Sequence, residues 1–406
     1  MIVFETDPSR YRHWRLTTDG AIAELTLDVD EDAGLFEGYQ LKQNSYDLGV
    51  DIELADAVQR LRFEHPAVKV VVLRSGKERV FSAGANIGML AGASHAHKVN
   101  FCKFTNETRN ALEDASRYSN QRYLAAVTGT AAGGGYELVL ATDHLVLADD
   151  GRSVVALPEL PLLAVLPGTG GLTRLTDKRK IRRDRVDVFC GLEEGVRGAR
   201  ALEWHLVDEL VPSSRFDAAV RAKVQRWVDE SPASSAATGI RLTPMERQVS
   251  GDGLRYTSLH LDIDRRAKLA TLRLMGPDTP APESADEIVS AGAEFWSLRL
   301  ARELDDAILH LRLNEPDVGV LVFTSDGDPR SVLSYDRLLE RLATHWLVRE
   351  IRLLWKRVLK RLDVTSRSLI ALVEPGNCFA GTLVEVVLAC DRAYMLSGPR
   401  DGDDRA

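Results

Sequence analysis

The stretch Gly129–Leu138, with the sequence GTAAGGGYEL, decides the fold of this 406-residue chain. It leads from an apolar strand, Leu124–Val127, through a glycine-rich turn into a helix that runs from Tyr136 to about Ala141. Another apolar strand, Leu145–Ala148, follows directly. Strand, turn, helix and strand in this order predict an α/β fold.

The same alternation extends toward the N-terminus. Residues 13–29 have the alternating apolar pattern of strands, and residues 51–65 have helical spacing. Residues 68–73 form a short β-branched run that is typical of a buried strand. Residues 97–117 again place apolar side chains near one helical face, so the first part of the chain is predicted to be α/β throughout.

The composition is that of an ordinary folded protein, with 45% hydrophobic and 28% charged residues. The formal net charge of −8 argues against a general nucleic-acid binder. No segment approaches the ~20 uninterrupted apolar residues that a membrane span requires, and the N-terminus lacks the apolar core of a secretory signal. The four scattered cysteines form no CxxC pair and fit a reducing compartment. We therefore expect a cytoplasmic protein with neither a nucleic acid nor a membrane as partner.

An internal repeat is the most informative large-scale feature of the sequence. The segment ELVLATD (137–143) aligns without gaps with EVVLACD (385–391), and VKVVVLRSG (68–76) resembles VGVLVFTSDG (318–327) in the same order. Two matches in one order predict a degenerate duplication. The second copy lacks the triple glycine and stops soon after Asp391, so we expect it to be incomplete.

Two connector-like stretches suggest where the copies separate. Residues 231–244 and 276–285 are rich in small residues and proline, and the segment 254–274 between them is predicted to form a charged amphipathic helix. The expected parts are a catalytic domain over 1–230, a helical linker region over 231–290 and a degenerate, truncated copy over 291–406.

Two glycine-containing turns could aim backbone N–H groups at one oxygen atom. The first, Val80–Ile87 (VFSAGANI), follows a buried strand, and the second is the opening stretch Gly129–Leu138. Glycine lets the backbone approach a ligand closely, and a helix N-terminus offers free N–H groups. One donor from each turn would form an oxyanion hole. Alternatively, each is only a tight structural turn.

A third motif completes an ordered set. It consists of Ala156–Leu160 (ALPEL) followed by Leu166–Gly171 (LPGTGG). Together the three motifs resemble the crotonase (enoyl-CoA hydratase/isomerase) superfamily over about residues 15–230. This resemblance implies a ββα spiral core and a coenzyme A thioester as the ligand.

The resemblance also implies roles for individual residues. Backbone N–H groups at the positions matching Ala85 and Gly134 would polarise the thioester carbonyl, and Glu137 and Glu159 would be acid/base residues. Two carboxylates beside one carbonyl can activate a water, one as base and one as acid, and mutual repulsion would separate their pKa values. Alternatively, Glu137 only complements the helix dipole and Glu159 is a surface carboxylate.

Contacts with coenzyme A or the substrate are implied at Lys42, Asn44, Asn86 and Gly133; Asn86 stands where superfamily members usually carry aspartate. The basic run 178–185 could meet the coenzyme A phosphates or lie on a solvated or subunit-facing helix. The nine histidines show no metal-ligand spacing, so no metal is expected. No separate cofactor is expected either, since coenzyme A is part of the substrate.

A narrower resemblance runs from residue 1 to about 397 and rests on FETDPSRYRHWRL (4–16), ASHAHKVNFCKFTNETRN (93–110) and the C-terminal half-copy. It points to ring-opening lyases that act on 2,3-epoxybenzoyl-CoA, add two waters and release 3,4-dehydroadipyl-CoA semialdehyde and formate. In that branch a cysteine joins the two glutamates, and Cys102 occupies the matching position. Alternatively, Cys102 is core filler.

Members of that branch continue beyond the matched region, so the chain is expected to be truncated or divergent at its end. A homodimer or other homo-oligomer is expected. Two other functions stay open, a plain enoyl-CoA hydratase and a non-catalytic protein that binds CoA thioesters or serves in assembly.

Overall fold

The computed structural model describes residues 1–232 and 238–398, and the chain folds as two compact units. One unit contains residues 6–239, and the other contains residues 1–5 and 240–406. Both units combine helices with parallel strands, which confirms the predicted α/β class. Among the helices of the described residues, none is both long and apolar enough to cross a bilayer.

The first unit, residues 6–239, is built from short strands and helices in regular alternation. Its strands are β1 (Trp14–Asp19), β2 (Ile22–Leu27), β3 (Ser45–Tyr46), β4 (Val70–Ser75), β5 (Val80–Ser82), β6 (Gly84–Ala85), β7 (Arg122–Val127), β8 (Thr130–Ala132), β9 (His144–Asp149), β10 (Val154–Ala156), β11 (Val196–Arg197) and β12 (Glu209–Pro212). Its helices are α1 (Leu48–Phe63), α2 (Ile87–Gly92), α3 (His95–Tyr118), α4 (Gly134–Leu140), α5 (Glu159–Leu163), α6 (Gly171–Thr173), α7 (Arg183–Cys190), α8 (Gly198–Glu203) and α9 (Phe216–Glu230).

Two sheets organise this unit. The larger sheet has the order β1-β2-β4-β7-β9-β12, with an antiparallel β1–β2 hairpin and parallel neighbours from β2 to β12. The smaller sheet has the order β11-β10-β8-β5. Successive parts of the chain add a strand to the larger sheet, a strand to the smaller sheet and then a helix: β4, β5 and α2; β7, β8 and α4; β9, β10 and α5. The repeat is therefore ββα.

The core of the first unit lies on both faces of the larger sheet. Alternate residues of β4, β7 and β9 pack against Phe216, Val220, Val224 and Trp227 of α9. The intervening strand residues, such as Leu73, are buried as well. Burial on both faces explains the uninterrupted apolar runs of these strands.

The second unit contains one mixed sheet with helices. Its strands are β13 (Gln248–Ser250), β14 (Gly253–Arg255), β15 (Leu259–Asp264), β16 (Leu269–Met275), β17 (Val320–Asp326), β18 (Ser368–Val373) and β19 (Arg392–Met395), in spatial order from β13 to β19. Its helices are α10 (Ala285–Ala291), α11 (Trp296–Asn314), α12 (Pro329–Arg341), α13 (Trp346–Asp363) and α14 (Thr382–Leu388). The strands are antiparallel up to β16 and parallel from β16 to β19.

The predicted helix over 254–274 is wrong, because this segment contains β14, β15 and β16. Along β15, Leu259, Leu261 and Ile263 are buried and alternate with polar residues, which is the two-residue period of a strand. Its charged residues form the polar face of that strand. The described part of the predicted helical linker over 231–290 thus supplies strands to the sheet of the second unit.

Candidate active site

The two predicted oxyanion segments lie side by side in the first unit. Strand β6, which contains Ala85, ends next to the turn that starts α4 at Gly134. A Cβ atom placed on Gly84 would lie 2.7 Å from the Gly134 nitrogen and 2.8 Å from the Ala132 oxygen. Gly84 also has a φ of +85°. Glycine is therefore required here both for the close approach and for the backbone conformation. The N–H of Gly134 is in the first helical turn and has no acceptor within the helix.

Parallel pairing of β8 with β10 brings the two glutamates toward this turn. The register places Ala132 opposite Ala156, and the N–H of Gly133 donates to the carbonyl of Ala156 at 3.0 Å. The chain leaves β8 into α4, which carries Glu137, and leaves β10 into α5, which begins at Glu159. Adjacent parallel strands therefore deliver both side chains to one edge of the small sheet.

Glu137 is buried and firmly anchored. Its side chain is 2% exposed, and its Oε1 atom accepts hydrogen bonds from the N–H groups of Thr169 at 2.9 Å and Gly171 at 2.7 Å. The Thr169 hydroxyl donates to Oε2. The segment Leu166–Gly171 thus surrounds the carboxylate with donors and fixes its direction.

Glu159, in contrast to Glu137, lies in the site without a full set of hydrogen-bond donors. A Cβ atom on Gly133 would lie 3.1 Å from Glu159 Oε1, so this carboxyl group lies against the oxyanion turn. Its Oε2 atom is buried and has no hydrogen-bond partner among the described residues. Burial first, and the negative charge of Glu137 second, raise the pKa of Glu159 to about 7. Near neutral pH both forms of this carboxyl are populated, so it can give or take a proton.

Cys102 reaches the same place from α3. A Cβ atom on Gly168 would lie 3.6 Å from its Sγ atom, and the Asn106 amide donates to the carbonyls of Gly168 at 2.9 Å and Cys102 at 3.0 Å. Burial, reinforced by the charge of Glu137, raises the pKa of the thiol. A thiol that stays protonated is a poor nucleophile but can position a group or pass a proton.

Two of the predicted ligand contacts have a different task in the structure. Asn44 is fully buried, and its side-chain amide donates to the carbonyls of Leu27 and Phe81 and to the Ser75 hydroxyl while its oxygen accepts from the Val29 N–H. These bonds occupy its side-chain polar atoms, so Asn44 ties the loop to the sheet.

Asn86 is likewise engaged within the protein. Its Oδ1 atom accepts from the N–H of Met89 and caps α2, and its amide nitrogen donates to the Gln40 carbonyl and the Ser45 hydroxyl. An aspartate at this position could accept the same cap but could not donate these two hydrogen bonds. Asn86 therefore shapes the first oxyanion turn through bonds within the protein.

Lys42 and Gly133 border the site in different ways. Lys42 is exposed. The carbonyl of the next residue, Gln43, accepts a hydrogen bond from the Ala83 N–H at 3.1 Å, so this turn lies beside the first oxyanion segment. Gly133 has a φ of +53° and a ψ of −132° and starts α4 beside Glu159. Lys42 is thus available at the rim, and Gly133 is part of the turn itself.

The basic run 178–185 makes many bonds within its own unit. Lys178 pairs with Glu113 at 3.0 Å, and Arg179 pairs with Asp208 at 2.9 Å. Arg182 pairs with Asp184 within the run itself at 2.7 Å. These ion pairs favour the structural alternative for the run over phosphate binding.

Two further residues of the site, Thr169 and Tyr46, were not predicted from the sequence. Thr169 lies in the quoted motif LPGTGG, where a hydroxyl between glycines could have been recognised as a donor to a carboxylate. Tyr46 lies two residues after Asn44 in the loop that was singled out for ligand contacts. Its ring points toward Gly134, and a Cβ atom there would clash with it, at 2.7 Å from the Tyr46 Cζ atom and 3.1 Å from Cε1.

The sequence pattern of the enoyl-CoA hydratase/isomerase family matches residues 40–254, which include all these side chains. The chain belongs to the enoyl-CoA hydratase/isomerase family. Its crotonase domain thus accounts for the first unit, and a further α/β region follows it.

Particular members of the family are similar to this chain to different extents. Benzoyl-CoA-dihydrodiol lyase from Aromatoleum evansii is 53% identical over 396 residues, which is 98% of this chain and 71% of that protein. Carnitinyl-CoA dehydratase from Salmonella typhi is 28% identical over 241 residues, which is 59% of this chain and 84% of that one. Among solved structures, an enoyl-CoA hydratase from Geobacillus kaustophilus is 32% identical with a TM-score of 0.47, covering 54% of this chain and 75% of that one.

Proposed function

We propose that this chain is a lyase that opens the ring of 2,3-epoxybenzoyl-CoA with two waters and releases 3,4-dehydroadipyl-CoA semialdehyde and formate. The observation that carries the proposal is the convergence of Glu137, Glu159 and Cys102 on one oxyanion turn. The 53% identity with benzoyl-CoA-dihydrodiol lyase, spread over nearly the whole chain, supports the choice of substrate.

The backbone donors would bind the thioester. Its oxygen would accept hydrogen bonds from the N–H groups of Ala85 and Gly134, which stabilise the enolate that develops during the reaction. Lys42, exposed at the rim, could pair with a phosphate of coenzyme A. Gly133 supports this arrangement, because the bare Cα leaves room for Glu159 against the turn.

The two carboxyl groups would divide the proton transfers. An ionised carboxylate offers about four acceptor sites, and Glu137 uses three of them for Thr169 and Gly171. The remaining site could hold a water, which fits Glu137 as the base. Glu159 has an unpartnered oxygen and a pKa raised to about 7, which fits it as the acid that protonates the epoxide-derived oxygen.

An apolar segment lies directly after Glu159. Its large side chains are exposed: Leu160, Leu162, Leu163, Val165 and Leu166. An aromatic acyl group is also apolar, and ligand sites combine such surfaces with a few polar groups. The segment therefore supports a ring-bearing substrate rather than a short polar one.

The test is a comparison of two substrates on the folded, purified protein. We expect formate to be released from 2,3-epoxybenzoyl-CoA, measured with a formate dehydrogenase assay, and crotonyl-CoA to be hydrated far more slowly. The opposite ratio would identify a plain enoyl-CoA hydratase. Binding of benzoyl-CoA without turnover of either substrate would identify a non-catalytic thioester binder.

We also propose that the second unit is a diverged second copy of the first. In support, an antiparallel hairpin followed by three parallel strands occurs in both units, as β1-β2-β4-β7-β9 and as β15-β16-β17-β18-β19. The counterparts Asp143 and Asp391 make the same contacts, because each carboxylate accepts the N–H of a residue at the start of a parallel strand, Tyr123 or Leu369.

A second pair of contacts supports the duplication independently. The Tyr11 hydroxyl donates to Asp56 of α1, and the Tyr256 hydroxyl donates to Asp306 of α11. Each tyrosine lies three residues before the first strand of its hairpin.

The second copy would not bind a thioester at the equivalent turn. Gly381 has a φ of +49° and a ψ of −125°, close to the values of Gly133, and Thr382 corresponds to Gly134. The Asp336 carboxylate accepts the Thr382 N–H at 2.7 Å and the Thr382 hydroxyl at 2.6 Å. An internal anion thus occupies the place that a thioester oxygen would take, which supports the anion-binding role of the turn in the first unit.

Location and assembly are proposed on narrower grounds. The four cysteines are free, which fits a reducing, cytoplasmic compartment. The proposal that the protein forms a homo-oligomer rests on its resemblance to the superfamily.

A further inference from the structure

The Tyr46 hydroxyl is a buried polar group without a partner. The residue is 3% exposed, and the hydroxyl oxygen makes no hydrogen bond with any of the described residues. Buried hydroxyl groups are normally hydrogen-bonded, because desolvation without compensation is costly. This tyrosine is therefore expected to gain a partner from outside the protein.

Tyr46 connects the two oxyanion residues. Its backbone pairs with Ala85 in the parallel β3–β6 ladder, and its carbonyl accepts the N–H of Asn86 at 2.8 Å. Its hydroxyl lies against Gly134, since the space that a Cβ atom would fill at that position is taken by the hydroxyl oxygen. The side chain thus spans from one predicted thioester donor to the other.

Two side chains of α3 pack against the ring of Tyr46. Phe101 packs against it with ring centroids 5.9 Å apart, and the Arg109 guanidinium lies 5.2 Å from the ring centroid. Arg109 is itself fixed by Asp51 at 2.5 Å, which also accepts the Thr105 hydroxyl. Such a fixed ring gives the hydroxyl a defined position at little entropic cost on binding.

The hydroxyl remains a donor over the working pH range. Burial, and beyond it the carboxylates of Asp51 and Glu137, raise the pKa of Tyr46 well above its usual value, while Arg109 acts in the opposite direction. The neutral phenol therefore keeps its proton for a hydrogen bond.

We propose that the Tyr46 hydroxyl donates a third hydrogen bond to the thioester oxygen of the substrate, beside the N–H groups of Ala85 and Gly134. The inference rests on the thioester-binding role given to these two residues in the proposed function. It makes Tyr46 a catalytic residue, since its hydroxyl would touch the oxygen that gains charge as the ring opens.

The test compares wild type with Tyr46→Phe, which removes only the hydroxyl and keeps the ring contacts with Phe101 and Arg109. Formate release from 2,3-epoxybenzoyl-CoA gives kcat and KM. The carbonyl stretch of bound benzoyl-CoA, labelled with ¹³C at the thioester carbon, is recorded by infrared difference spectroscopy and needs no turnover. Tyr11→Phe is the matched control, because it removes a hydroxyl that bonds to Asp56 in the same unit.

For Tyr46→Phe we expect kcat to fall on the order of 100-fold with little change in KM. The carbonyl stretch should move to a higher wavenumber than in wild type, since one donor is lost. Tyr11→Phe should leave both unchanged.

The other possible results distinguish a failure of the Tyr46 hydrogen bond from a failure of the proposed function. If wild type releases formate and Tyr46→Phe matches it in kcat and carbonyl frequency, the role of Tyr46 is overturned and the proposed function stands. If wild type releases no formate but the carbonyl frequency still depends on Tyr46, the proposed function fails and the hydrogen bond stands. A wild-type complex with the carbonyl frequency of free benzoyl-CoA, or no complex, would overturn both.

If Tyr46→Phe does not fold, 3,5-difluorotyrosine at position 46 replaces it as a stronger donor of nearly the same shape. A lower carbonyl wavenumber than in wild type would then support the hydrogen bond, and an unchanged one would overturn it.

Discussion

Glu137 and Glu159 carry the same functional group but differ in their surroundings. Three donors from Thr169 and Gly171 fix Glu137, whereas one oxygen of Glu159 is buried without a partner. Burial penalises the charged form of a carboxyl that lacks donors, and the neighbouring Glu137 adds repulsion. The surroundings thus make Glu137 a fixed hydrogen-bond acceptor and Glu159 a carboxyl that can carry a proton.

The stability of the protein should depend on Glu159 in a predictable direction. Its pKa is about 7 in the folded protein and about 4.3 when unfolded, so between these values the folded state holds a proton that the unfolded state has lost. The contribution of Glu159 to the free energy of unfolding is therefore complete below about pH 4.3 and is lost as the pH rises toward about 7. Glu159→Gln should be more stable than wild type at pH 8 by about 1–3 kcal/mol, with a smaller difference at pH 5.

Urea unfolding at the two pH values checks this prediction. Glu385→Gln, which changes the exposed repeat counterpart of Glu137, is the control and should change stability little, as is usual for an exposed side chain. An equal offset for Glu159→Gln at pH 5 and pH 8 would contradict a raised pKa at this residue.

The positions of both glutamates could be predicted from the sequence, but their division of roles could not. The donors of Glu137 come from residues 32 and 34 positions further along the chain. The missing partner of Glu159 is a property of the packed site and leaves no local signal. The same holds for Asn44, whose motif position suggested a ligand contact while its four hydrogen bonds tie down the loop.

At the scale of elements, parallel strand ends and one glycine-rich segment assemble the site. Strands β8 and β10 deliver α4 and α5 to the same edge, and Leu166–Gly171 then crosses over to reach Glu137 and Cys102. The order of strands and helices followed from apolar periodicity. The segment 254–274 forms strands rather than the predicted helix, because Leu259, Leu261 and Ile263 alternate with polar residues in the two-residue period of a strand.

Gly171→Ala should impair catalysis more than folding. Its Cβ would lie 2.9 Å from both Cγ and Oε1 of Glu137, so the carboxylate would have to leave its anchored position. A misplacement of about 1 Å can cost on the order of 100-fold in rate, and we expect a loss of that size in formate release. Gly92→Ala is the control, because no atom lies within 4 Å of its added Cβ. Equal rates for the two folded variants would contradict the importance of the Glu137 position.

At the scale of the whole molecule, the two units share a plan but differ in their chemistry. The aligned segments ending in Asp143 and Asp391 were enough to predict the duplication. The corresponding Tyr11–Asp56 and Tyr256–Asp306 contacts could not be predicted from the sequence, because the tyrosine and the aspartate are 45 residues apart in one unit and 50 in the other. Their proposed equivalence rests on the position of each pair relative to its hairpin in the fold.

These paired contacts should stabilise each unit without affecting catalysis. Tyr11→Phe and Tyr256→Phe each remove a donor from a carboxyl whose pKa is raised by burial, that of Asp56 or Asp306. We expect each to lower the free energy of unfolding by about 1–2 kcal/mol in urea titrations and to leave kcat unchanged. A large loss of kcat with unaltered stability in either variant would contradict a purely structural role.

Proton transfer by Glu159 is tested most directly by formate release from 2,3-epoxybenzoyl-CoA by Glu159→Gln, measured beside wild type and Glu385→Gln at pH 7. If Glu159 transfers a proton, Glu159→Gln should lose on the order of 10²–10⁴-fold in kcat, while Glu385→Gln keeps the wild-type rate. Formate release by folded Glu159→Gln at the wild-type rate would contradict proton transfer by this carboxyl.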